Sequence, residues 1–364
     1  MSMRRVAPAI ALFFLSPLVA EFLLGDFTLA QLSFVLALAP AYGGAAVVIR
    51  ELTRRAGRGW PTIILLALAY GVIEEGLETQ SLFNPHYLNA HLLDHGFVPA
   101  LGIAVPWTLF VLALHTVWSV STPIALVEEW TTRRATPWLR LPGLIFFAVL
   151  AVVGAVFTFA ISYADGHFMA GPAQLAITGV VAVGLIVTAF RLPRTTAPSP
   201  GVDVSGSAAG ATAASPGVDV SGSVAGATAR SAGADVSGAA PRPWVVLVAM
   251  LGAGFVFFVG DALPAVAGAV LLAVALAGAA FLVVRWSRKP GWDGRHRLAT
   301  AGGALLTYAW HSFLMQPVIK ASPAMIVVSH AVFALAAVLL LVFEARRVLA
   351  RHVSRATAGF AAVG

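Results

Sequence analysis

The chain has no cysteine and only two lysines, and 11% of its 364 residues are charged. The missing cysteine excludes a disulfide framework, a thiol nucleophile and any thiolate metal site. The scarcity of charge, set beside 59% hydrophobic residues and a mean hydropathy of +0.88, excludes an ordinary soluble domain. A GxxxxGK phosphate loop is absent, as is any nucleic-acid motif, and many of the glycines fall inside apolar runs.

What is present is a series of apolar blocks of about 20 residues, the length that crosses a roughly 30 Å hydrocarbon core as a helix. Ten such blocks run approximately over 6–24, 29–49, 60–83, 104–127, 141–163, 173–192, 244–262, 264–285, 299–319 and 324–344. The alternating pattern of a barrel is missing, and a lipid-exposed backbone must satisfy its own hydrogen bonds. The sequence therefore predicts an all-α polytopic membrane protein of about ten transmembrane helices.

The positive charges check that count. They fall at Arg4 and Arg5, then in 50–58, 133–140, 191–194, 230–242, 285–297 and 346–355, all on one side after ten crossings, and only Lys320 departs. The positive-inside bias then places both termini in the cytoplasm of a multi-pass cell-membrane protein. The net charge of +7 becomes a topology signal whose partners are membrane lipids, not nucleic acid. The opening MSMRRVAPAIALFFLSPLVAEF has the regions of a signal peptide, but with so many spans following it reads as a retained first helix.

The predicted organisation is a six-helix membrane half over 1–192, a disordered cytoplasmic linker over 193–243, a four-helix membrane half over 244–345 and a basic cytoplasmic tail over 346–364. The linker carries a tandem 16-residue repeat, SPGVDVSGSAAGATAA at 199–214 and SPGVDVSGSVAGATAR at 215–230. Its Ala, Gly, Ser and Pro cannot bury a core.

Against this apolar background, YGVIEEGLETQ places Glu74, Glu75 and Glu78 inside the third span, three and four residues apart and so on one side of a helix. Ionisable groups at membrane depth cost a few kcal/mol and turn into the bundle or a wet cavity. Counted from the arginine-rich ends, Glu75 lies 15 residues beyond Trp60, His115 13 before Glu128, His311 about 12 beyond Ala299, His330 14 before Glu344 and Glu21 16 beyond Arg5. At 1.5 Å per residue these depths agree within about 6 Å, so five helices are expected to bring acids and imidazoles to one level. Glu21, near the outer end of its helix, is expected to snorkel to the headgroups.

Paired carboxylates and histidines in a half-dry cavity fit three tasks: hydrolysis through activated water, proton relay for transport, and binding of a divalent metal. The glutamate pair of GVIEEGLETQ, FVLALH ending at His115, and SHAVFAL around His330 together resemble the CAAX-processing and bacteriocin-processing (CPBP) intramembrane proteases. Members of that family carry EExxxR, FxxxH and HxxxN or HxxxD on separate membrane helices. This sequence departs from those patterns at Thr79, at the five-residue spacing from Phe110 to His115, and at Ala334.

The resemblance implies a hydrolase acting on hydrophobic peptide. Glu75 would activate water, Glu74 and Glu78 would tune its proton affinity, and His115 with His330 or His311 would stabilise the oxyanion. A ten-helix drug/metabolite-type transporter of a small solute is the second reading, and a non-catalytic membrane subunit the third. In the outer loop NPHYLNAHLLDHGF, His91 and His95 are four apart, with Asp94 and His86 nearby, a spacing compatible with zinc if the loop is helical.

Overall fold

The structure, a computed structural model, describes residues 3–194 and 238–361. The repeat linker falls almost wholly at 195–237, outside the described residues. Among the described residues nine helices are long and apolar enough to cross a membrane. They are α1 (Val6–Leu23), α2 (Leu29–Arg55), α3 (Trp60–Glu78), α4 (Val105–Trp130), α5 (Leu141–Gly166), α6 (Pro172–Arg191), α7 (Pro243–Asp261), α8 (Ala265–Ser287) and α10 (Pro323–Arg351). The remaining expected segment is α9 (Gly294–His311). Among the described residues strand is confined to a ribbon of two residues a side, β1 (Phe97–Val98) with β2 (Ile103–Ala104), in the loop before α4. The fold is thus all-α and multi-pass.

Helix α9 starts five residues earlier than hydropathy suggests, because Asp293 caps it. The Asp293 carboxylate accepts the Arg295 N–H at 2.9 Å, and the Asp293 N–H donates to His296 Nδ1 at 3.2 Å. The cap draws Arg295, His296 and Arg297 into the first turn, which lowers the mean hydropathy of this helix. At the other end α9 stops at His311 and passes into a short 3₁₀ turn, Ser312–Leu314. Helix α10 continues to Ala361, so the segment expected as a separate basic tail extends the last helix.

The helices sort by what they carry. In α4, 72% of the apolar window is buried, whereas in α5, α6, α8 and α10 only 17% is. The outer helices turn rows such as Ile145, Phe146, Val149, Val152, Val153 and Val156 outward, as a lipid-facing surface requires. The inner helices α1 to α4 carry most of the buried polar residues. Close approach is bought with glycine: a Cβ on Gly43 would sit 1.9 Å from the Phe13 carbonyl oxygen of α1, and one on Gly154 would sit 2.2 Å from the Ala41 nitrogen of α2.

At the arginine-rich end a buried ionic cluster ties α2, α4 and the loop after α4 together. Arg50, fully buried, lies 2.6 Å from Glu51 and 3.1 Å from Glu128, while Arg54 reaches the other Glu128 oxygen at 2.7 Å. Glu51 also accepts the backbone N–H groups of Trp138 and Leu139. Trp138 is buried beneath the Arg50 guanidinium, whose carbon lies 3.5 Å from the ring centre. A second pair, Arg297 Nε to Glu129 at 2.5 Å, joins α9 to α4.

Candidate functional site

Three of the inner helices abandon α geometry, and the residues concerned come together. Helix α1 becomes a π-helix over Leu18–Leu23, α3 over Glu74–Glu78 and α4 over Leu114–Ser121. A π turn inserts an extra residue and bulges the backbone, a cost that persists mostly at functional positions. Each carries an ionisable side chain: Glu21 in the first, Glu74, Glu75 and Glu78 in the second, His115 in the third.

His115 sits between the paired carboxylates. Its Nε2 lies 2.7 Å from Glu75 Oε1, and its Nδ1 lies 2.9 Å from Glu74 Oε2. All three residues are buried, as is Glu78. Gly71 makes the meeting possible, because a Cβ there would stand 3.0 Å from His115 Cβ. The far oxygen of Glu75 is held by two hydroxyls, Thr79 at 3.1 Å and Ser81, and Ser81 in turn accepts the Trp107 indole N–H at 3.2 Å. On the other side, the Tyr42 ring stacks over His115 at 6.0 Å and the Tyr70 ring meets it edge-on at 6.0 Å. The Tyr42 hydroxyl donates to Glu21.

Glu21 therefore does not snorkel. The π turn rotates it inward, where it joins the aromatic frame of His115. Thr79, Ser81, Tyr42, Tyr70 and Trp107 are further members that sequence reasoning missed. Their signal was faint, a hydroxyl or indole within an apolar run, which packing alone would explain.

Among the described residues His311 and His330 make no ion pair with Glu74 or Glu75, whose partner is His115. Counted from its true start at Gly294, His311 is the last residue of α9, deeper than expected by the length of the displaced first turn, and its ring packs 3.6 Å from Phe258. Helix α4 also stands between: Trp118 stacks on Tyr308 of α9 with ring centres 4.8 Å apart and donates to the Ala304 carbonyl at 2.8 Å, filling the face turned to α9. His330 instead lies close to Gly25, edge-on to Phe313, and lines a cleft of about 210 Å³ with Met315, Pro323 and Ile326. Of the five helices that share this level in sequence, α1, α3 and α4 bring their ionisable groups together through His115 and Tyr42.

The expected zinc spacing of His91 and His95 also fails. The loop is a series of turns with positive φ at Leu88, Asn89 and His91, so residues four apart share no helical face. Both histidines are exposed, and His91 pairs with Asp94 at 3.3 Å. Among the described residues, the group that could hold a metal ion is Glu74, Glu75 and His115, whose donor atoms all lie within 4.8 Å of one another.

No curated protein and no solved structure matches the chain. A family profile described as an uncharacterized membrane protein family matches residues 10–356, and that match supports a membrane protein without carrying the resemblance to the CPBP proteases. Because it spans nearly the whole sequence, the chain belongs to this uncharacterized membrane protein family.

Proposed function

We propose that this protein is an intramembrane hydrolase of hydrophobic peptide, with Glu75 as the base that activates water. One observation carries the reading: Glu75 and His115, on different helices and buried in an apolar bundle, lie 2.7 Å apart on π-helical turns. Burial is costly for each group, so their joint placement needs a return in function. These are also the positions at which two of the three CPBP-like motifs meet, whereas His330, the third, stays away.

In this reading a water between Glu75 and a substrate carbonyl gives its proton to Glu75 Oε1. The hydroxide so formed adds to the carbonyl carbon, and the resulting oxyanion takes the hydrogen bond of the His115 Nδ1–H, displacing the Glu74 carboxylate that now lies 2.9 Å from it. The proton on Glu75 then passes to the departing amide nitrogen as the C–N bond breaks, leaving a carboxylic acid and an amine. Thr79 and Ser81 hold Glu75 in place through its other oxygen.

A proton-coupled carrier is the second reading, favoured by the continuation of polar groups from His115 through Tyr42 to Glu21 on α1. Purified protein incubated with a fluorogenic set of apolar membrane-spanning peptides separates the two. The hydrolase reading expects cleavage that Glu75→Gln and His115→Ala each reduce by a factor of 100 or more. Absence of cleavage by the wild type, or undiminished cleavage by Glu75→Gln, refutes it. Proton-coupled uptake in liposomes lost in the same variants supports the carrier.

A further inference from the structure

We infer that Glu74, Glu75 and His115 bind one divalent first-row cation of the zinc or manganese kind, an inference that rests on reading these residues as the hydrolytic centre. The donor set comes first. Two carboxylates and one imidazole are ligands that such ions take, and thiolates, which would select softer chemistry, are absent from the chain. Ligand atoms around an ion bound at about 2.0–2.2 Å lie at most about 4.4 Å apart. The three donors already lie within 4.8 Å of one another, and because the carboxylates now meet different ring nitrogens, ion binding requires one of them to turn toward the nitrogen the other faces.

A second, independent observation points to a ligand. Glu78 is 6% exposed and its Oε2 accepts no hydrogen bond, and Glu74, 2% exposed, has an Oε2 that is near His115 Nδ1 without hydrogen-bond geometry. Buried carboxylate oxygens are ordinarily satisfied, and an unsatisfied one in a polar cluster calls for an ion or a water. Glu78 closes the same π-helical turn that carries Glu74 and Glu75, which puts it beside the same centre.

Charge balance agrees. Among the described residues the ion-pair partner of Glu74 and Glu75 is His115 alone, and no arginine or lysine pairs with Glu21 or Glu78. Two carboxylates meet one imidazole, with Glu78 unpaired in the same turn and Glu21 linked through Tyr42, and a dication offsets two of the negative charges. The hydroxyls of Thr79 and Ser81 on the far oxygen of Glu75 are the outer partners that fix the orientation of a metal-binding carboxylate. With an ion bound, Glu74, Glu75 and His115 would be its ligands, and the ion would supply a water of lowered proton affinity in place of the direct activation by Glu75 described above.

The test uses full-length protein in detergent, stripped with chelator and then titrated with Zn²⁺ or Mn²⁺ alone, with bound metal counted by elemental analysis and melting temperature followed in parallel. One ion per chain and a raised melting temperature are expected for the wild type. His115→Ala and Glu74→Gln should weaken binding at least tenfold, and Glu75→Asp, which keeps the charge if the alanine variant fails to fold, should weaken it as well. His91→Ala with His95→Ala should bind as the wild type does. No stoichiometric binding, or binding that survives His115→Ala but is lost with the loop histidines, overturns the inference. Peptide cleavage by the stripped protein at the wild-type rate removes the cation and leaves the hydrolase reading standing. One ion per chain with no cleavage does the reverse.

Discussion

Removing the imidazole of His115 should expose the repulsion that it now contains. In the wild type the imidazole bridges Glu74 and Glu75 at 2.9 and 2.7 Å. The donor oxygens of the two carboxylates are at most 4.8 Å apart. Two like charges at that separation repel by about 3.5 kcal/mol at an effective dielectric of about 20. His115→Ala also loses buried packing against Tyr42 and Tyr70. The single variant should therefore be destabilised by roughly 3–5 kcal/mol, the range found when one partner of a buried ion pair is deleted.

Packing loss and charge repulsion separate in a double-mutant cycle. Glu74→Gln placed on the His115→Ala background removes one of the two facing charges, so it should restore about 1–3 kcal/mol that it does not add to the wild type. Thermal or denaturant unfolding of the four proteins in detergent at pH 8, followed by circular dichroism, reads the coupling. Additivity within about 0.5 kcal/mol would mean that the two carboxylates do not feel each other, and the description of the centre would fall with it.

Gly71→Val should force α4 away from α3, since the first added carbon already meets His115 Cβ at 3.0 Å; a loss of about 1–3 kcal/mol in unfolding is expected, and wild-type stability would contradict the close approach. Arg50→Met should cost about 3–5 kcal/mol by leaving the buried Glu51 charge without its close guanidinium, while Glu128 keeps Arg54, with part regained by adding Glu51→Gln, and the same unfolding assay decides it. At Asp293 burial opposes ionisation, but hydrogen bonds from His296 and Arg295 outweigh it and hold the carboxyl below the usual carboxylate range. Its stabilisation is then complete above about pH 4, the unfolded value, and is lost as pH falls through the lowered folded value. Asp293→Ala should cost about 1 kcal/mol at pH 7, and the gap in melting temperature from wild type should close below pH 4; a gap that stays constant to pH 3 counts against the cap.

Composition and periodicity alone determined the solvent of this protein and its secondary structure. A chain so short of charge, with apolar blocks of bilayer length, has only the helix available to it, because each backbone group must be satisfied within its own segment. The Glu74, Glu75 and Glu78 stripe was equally legible, since an acid in an apolar run stands out whatever surrounds it. Only tertiary structure decided which imidazole meets those acids. Depth along a helix is a one-dimensional quantity that sequence supplies, and His115, His311, His330 and Glu21 looked equivalent by it. Lateral position depends on which faces pack, and Trp118 turned one face of α4 to α9 while Gly71 admitted His115 to α3. The π turns that rotate Glu21 and His115 inward, and the Asp293 cap that shifts α9 by more than a turn, are backbone choices settled by packing and local hydrogen bonds, which no residue count along the chain reveals.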